Sequence, residues 1–204
     1  MKRQMWASLI AVFAVAVLLI LPPAALAQNN NASGQKAESK TSDNPAGKLT
    51  TLELSMKQSA GKDAKAYLRA QGEYWNIIYE QKDLGRAYEF FNQLAAANPS
   101  SPDVLGSQGS AIGSYIGWLY SSGAIKQVDE QFVATLDSKA HAAFEKALQI
   151  DANNFTALLG YATYESYNPA GAEHSKELFA RLETLRSSHP EYPWQVVDQM
   201  KKGH

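Results

Sequence analysis

Phe144-Glu145-Lys146-Ala147-Leu148-Gln149-Ile150-Asp151-Ala152-Asn153-Asn154 is the stretch whose reading decides the fold. Ala140, Phe144 and Leu148 fall at every fourth residue, the spacing of one helix face, and Asp151 to Asn154 then stop the helix. A second stretch repeats this pattern without a gap. Phe91-x-x-Leu94, Pro99 and Leu105-x-x-Gln108-Gly109 lie over Phe144-x-x-Ala147, Ala152 and Leu158-x-x-Tyr161-Ala162. Ala87 and Ala140 each stand four residues before their phenylalanine. Two helix-to-helix junctions in one register mark an internal repeat.

Outward from these junctions the period stays helical. Ala66, Ala70, Tyr74, Ile77 and Ile78 share one face of a first helix, and Ala87, Phe90, Phe91 and Leu94 share that of a second. Asn98-Pro99-Ser100-Ser101-Pro102 ends the second and starts a third, with Ser101 at the N-cap and Pro102 first in the helix. The third runs from Asp103 to about Tyr120 and ends at Ser121-Ser122-Gly123. Val128, Phe132, Leu136, Ala140, Phe144 and Leu148 make the stripe of a long fourth helix, widened by Val133, Ala143 and Ala147. A fifth covers Phe155 to Ser166, a sixth Ala172 to Arg186, and a short last one Trp194 to Met200. No strand signal of comparable strength competes, so the predicted class is all-α.

The small–aromatic–small–proline spacing, with the helix ending of Phe144 to Asn154, resembles the tetratricopeptide repeat family over about residues 63 to 200. Alanine (Ala152) takes the usual proline place in the second junction. The physical sense of the pattern is that small residues let two helices of a hairpin approach, while aromatics fill the space between hairpins that must stack. The resemblance implies a short right-handed solenoid of about three helical hairpins. One departure is large: Phe91 to Phe144 is 53 residues, against roughly 34 for an ordinary repeat. The surplus falls between Gly109 and Ala140, which predicts a lengthened second hairpin joined at Ser121 to Lys126. Its tip either binds a partner or covers the end of a neighbouring hairpin.

The N-terminus reads as export machinery. Lys2 and Arg3 precede an apolar run from Met5 to Leu21 broken only by Ser8, then Pro22-Pro23 and Ala25-Leu26-Ala27. That is the order of a signal peptide, residues 1–27, cleaved after Ala27. The alternative is an uncleaved helix anchoring the chain in the inner membrane, for which 17 residues is a short span. No later run is long and apolar enough to span, so none is expected after cleavage. Residues 28–60, rich in Asn, Ser, Lys and Thr, read as a disordered tether with no more than a short turn of helix around Leu49 to Met56. The helical domain is then residues 61–204. There is no cysteine, which excludes structural disulfides and thiolate metal sites. The periplasm of a Gram-negative bacterium suits these features.

Net charge is −1 for the whole chain. Without residues 1–27, 17 basic against 20 acidic residues leave −3. With no basic cluster, nucleic acid is not an expected partner. His141, His174, His189 and His204 lack metal-ligand spacing, and no nucleophile motif, phosphate loop or catalytic carboxylate pair is present. The expectation is therefore no enzyme, no cofactor and no metal. Gly109, Gly113 and Gly117, with Gly106 nearby, recur along the third helix at a cost of about 1 kcal/mol each in helix propensity. Either another helix packs closely there, or the row forms a smooth strip for a ligand. The tetratricopeptide register implies that Asn76, Tyr79, Ser110, Ser114, Thr163 and Tyr167 face the concave groove. Only Asn76 suits the carboxylate-binding pattern of that family, so peptide-carboxylate capture is set aside. The expected function is a non-enzymatic scaffold, adaptor or assembly factor of the cell envelope, holding a protein segment in the groove or at the hairpin tip. The alternative is a small-molecule-binding accessory component of an envelope transporter.

Overall fold

In a computed structural model the described residues are 44–202. The expected signal peptide, residues 1–27, and the first part of the expected tether lie outside them. Eight α-helices follow in order: α1 Pro45–Ser59, α2 Ala64–Gln81, α3 Leu84–Ala97, α4 Pro102–Ser121, α5 Glu130–Ile150, α6 Phe155–Ser166, α7 Ala172–Leu185 and α8 Trp194–Lys202. Short 3-10 turns at Ala124–Gln127 and Pro169–Gly171 join α4 to α5 and α6 to α7. The class is all-α, with no strand among the described residues.

Local chemistry sets the boundaries. Asp63, Asp83, Asp129 and Asn154 each accept a hydrogen bond from a backbone N–H in the first turn of the helix they precede, which satisfies a donor that the helix leaves unpaired. Ser101 stands at the N-cap of α4 with Pro102 first in the helix, but its hydroxyl makes no capping bond. Lys82 ends α2 in the left-handed region at φ 56°, and Asp83 at once caps α3, so two residues turn the chain.

The repeat seen in the sequence has a structural counterpart at both junctions. α3 ends at Ala97 and α4 starts at Pro102; 53 residues on, α5 ends at Ile150 and α6 starts at Phe155. Ala87, Phe91, Leu94 and Leu105 are buried, as are their counterparts Ala140, Phe144, Ala147 and Leu158. The surplus length is where it was expected: α4 has 20 residues and α5 has 21, against 12 in α6 and 14 in α7. Helices consecutive in sequence from α1 to α7 pack on one another, most extensively α4 on α5, and α4 also lies along α6. The buried side chains form two clusters, one chiefly on α1 to α3 with Ala147 of α5 and Ala157 of α6, and one on α5 to α8, with α4 contributing to both. Tyr115, Trp118 and Leu148 pack against both.

The tether boundary at residue 60 needs correction. α1 is a 15-residue helix whose Leu49 and Met56 are fully buried and whose Leu52 is nearly so. Glu53 accepts a hydrogen bond from Arg86 Nε on α3 at 2.8 Å and one from the Tyr74 hydroxyl on α2 at 3.3 Å. The polar composition of this stretch hid the helix. Three apolar side chains at helical spacing suffice once α2 supplies a surface to bury them on.

The glycine row on α4 serves close packing. A Cβ at Gly106 would stand 2.8 Å from the backbone nitrogen of Ala157 on α6. One at Gly109 would meet the Phe144 ring at 2.7 Å, and one at Gly113 the Tyr164 ring at 2.6 Å. Real Cβ atoms do not approach that closely, so α5 and α6 sit where they do because those side chains are absent.

Candidate functional site

α2 and α6 turn one side of each toward a shared cavity, α4 contributes Ser110, and α8 closes it from the C-terminal end. The cavity has a volume of about 130 Å³. Leu68 and Trp75 on α2, Phe155 and Leu159 on α6, and Val196 and Met200 on α8 are among the large apolar residues that line it. Trp75 is fixed by stacking on Tyr79 at 5.4 Å on one side and on Phe91 at 5.6 Å on the other.

α8 is seated by its buried face, Val196, Val197 and Met200, and Arg186, just past α7, ties its exposed side. The Arg186 guanidinium donates to Asp198 and Glu183 and lies 4.9 Å from the centre of the Trp194 ring. Trp194 Nε1 donates to the His189 carbonyl at 2.8 Å, and its ring meets Phe155 edge-on at 5.5 Å. This short amphipathic helix therefore presents Val196 and Met200 to the cavity in a fixed orientation.

The six groove residues expected from the sequence divide. Tyr79, Ser110 and Thr163 line the cavity. Ser114 is buried one turn beyond Ser110, and its hydroxyl is 2.9 Å from that of Tyr79. Asn76, half-buried on α2, and Tyr167, buried at the end of α6, are not among the lining residues. The larger part of the wall was not anticipated. Trp75 could have been found from its spacing of four to Tyr79, whereas the approach of α8 is a long-range contact with no local signal.

The polar groups around the cavity are satisfied by their own scaffold. Ser110 donates to the Gly106 carbonyl at 3.0 Å and Thr163 to the Leu159 carbonyl at 2.8 Å. Gln71 donates to Ser107 Oγ at 2.8 Å, as does the Tyr67 hydroxyl, and Ser107 donates on to the Asp103 carbonyl at 2.6 Å. Burial raises the Tyr67 and Tyr79 hydroxyls above the usual phenol range and so keeps them neutral. Burial likewise raises the Asp103 carboxyl, against hydrogen bonds from Asn154 and Thr156 that lower it. The expectation of a groove displaying hydroxyls is thus modified: the hydroxyls are there, but they are spent on internal bonds, and an occupant would meet a largely apolar wall.

Among the described residues no group of three or more His, Asp or Glu side chains is placed to hold a metal ion, and no helix is long and apolar enough to cross a membrane. Compared with known proteins, the chain matches no family model, no curated protein and no solved structure.

Proposed function

We propose that this chain is an exported, non-enzymatic scaffold of the cell envelope. In this reading it is a short tetratricopeptide-like solenoid of about three stacked hairpins that holds a segment of a partner protein by burying one apolar side chain in the cavity. The cavity's size carries the reading. Sites that enclose small molecules run to roughly 300–1,000 Å³, and about 130 Å³ is too little for a metabolite but suits a single leucine- or phenylalanine-sized anchor. Its chemistry agrees, since polar groups already bonded to their own helices offer little to orient a polar ligand. Anchors of this kind, seated in a preformed apolar pocket, carry much of the energy of protein interfaces. Phe132, 40 % exposed near the tip of the elongated hairpin, offers a second contact for the same partner.

Leu159→Trp tests the proposal because it fills the cavity without touching the glycine contacts of α4. The chain from Gln28 onward, coupled to a support, should retain a saturable protein partner from envelope extract, and the folded Leu159→Trp chain should lose it. Retention by both chains would remove the cavity from the account. A metabolite that raises the melting temperature by several degrees, without any retained protein, would favour the transporter-accessory alternative.

A further inference from the structure

Away from the cavity, a buried carboxylate joins three helices. Glu165 on α6 is only 5 % exposed. His141 Nε2 on α5 is 2.9 Å from its Oε1, and His174 Nδ1 on α7 is 3.7 Å from the same oxygen. Gly171, in the turn between α6 and α7, leaves the room: a Cβ there would collide with Glu165 Oε2. His141 is oriented at its other nitrogen by the Asp137 carbonyl at 2.9 Å, with the Asp137 carboxylate at 3.7 Å. Two imidazoles from separate helices thus converge on one desolvated anion, which needs a positive partner to be stable there.

The surroundings favour positive charge. On α5 the cluster faces Asp137 and Glu145; on α6 it faces Tyr161 and Tyr164; and Tyr120 on α4 interacts with Asp137. The Tyr164 hydroxyl donates to Asp137. No lysine or arginine is among the groups acting on His141 or Glu165. The group within hydrogen-bond distance of Glu165 that can carry positive charge is His141, while Arg181 on α7 lines the same surface pocket as His174 and Tyr161.

We propose that His141 and Glu165, with His174 beside them, form a protonation-controlled clamp: with His141 protonated it ties α5 to α6, and with His141 neutral it loosens the α5–α6 contact and the exposed first half of α5. α5 packs chiefly on α4, its most extensive partner, and shares much less of its length with α6, so the tie at His141 carries a large part of the α5–α6 contact. Loss of the second His141 proton removes the counter-charge hydrogen-bonded to the buried Glu165 carboxylate, and the cost is relieved when α5 parts locally from α6 and admits water.

The pH window follows from the two shifts. The hydrogen bond to Glu165 raises His141 from 6.5 to about 9, against burial that lowers it. A raised histidine stabilises fully below its ordinary value and loses that contribution as pH rises through about 9. Glu165 is lowered, chiefly by the hydrogen bond from His141, so its contribution is present above the ordinary carboxylate range and is lost in strong acid. The clamp is strongest between these limits, in mildly acidic to neutral solution, and weakens steadily from neutral to alkaline pH.

Proton NMR on the chain from Gln28 onward tests this directly. The His141 ring signals should titrate with a midpoint near 9, and Glu165→Gln should bring that midpoint back toward 6.5. Amide exchange in residues 130–141, corrected for its intrinsic pH dependence, should accelerate at least tenfold between pH 7 and 9.5 while the core of α4 stays protected. His141→Gln, which keeps a donor for Glu165 but cannot change charge, should flatten this response. A His141 midpoint at the ordinary value, or equal protection of residues 130–141 at both pH values, overturns the clamp.

Discussion

Phe144 is held against two glycines. Gly109 and Gly160 both lie against the Cε1–Cζ edge of its ring, while Tyr161 stacks on it at 4.9 Å, and the side chain is fully buried. A ring so enclosed has nowhere to move when a methyl group is added. Gly109→Ala should therefore destabilise the protein by about 1–3 kcal/mol, although alanine is the better helix former by about 1 kcal/mol. Gly85 on α3 is the control, because a Cβ there meets nothing within 4 Å. Gly85→Ala should gain up to about 1 kcal/mol from propensity alone. Urea midpoints of the two variants should move in opposite directions from the parent; a shift of both to higher stability would disprove the tight seat of Phe144. The row of small residues was legible in the sequence, but its partner rings on α5 and α6 were not, since spacing along one helix does not name the residues packed across from it.

Helix boundaries were the most legible feature at the scale of elements, because caps act locally. The positions of Pro102 and Phe155, each just after a cap residue, and the stops after Ala97 and Ile150 could be read from a few neighbouring residues. α1 was not legible in the same way. Its buried face is three residues, Leu49, Leu52 and Met56, in a polar stretch, and the helix is stabilised by α2 and α3 rather than by its own composition. A chain that starts at Gly61, the boundary suggested by composition, should consequently melt well below a chain that starts at Gln28. Its loss would uncover Tyr74 and strand Arg86 without Glu53. Burying three apolar side chains contributes on the order of 1.5–3 kcal/mol each, so calorimetry should show a drop of many degrees. Equal melting temperatures would mean that α1 is a passenger. The cavity was legible only in its smaller part for a related reason: register on α2, α4 and α6 indicated Tyr79, Ser110 and Thr163, whereas Val196 and Met200 arrive on α8 through long-range packing.

For the molecule as a whole, the two buried clusters raise the question of whether the halves stand or fall together. Tyr115 and Trp118, both on α4, pack into each cluster, as does Leu148 on α5. Residues from the elongated hairpin and beyond, Ala111, Ala147 and Ala157, belong to the first cluster. A seam this interlocked predicts one cooperative transition. Separate melting of the α1–α3 and α6–α8 halves would show that α4 and α5 join them only loosely.

The placement of the indole rings makes that question answerable without any added label. Trp75 belongs to the first cluster, Trp194 packs against the second, and Trp118 touches both. Replacing two of the three with phenylalanine leaves a single natural fluorophore at one end, at the other, or at the join. The chain from Gln28 onward contains no further tryptophan, so each such variant acts as a one-colour thermometer for its own neighbourhood.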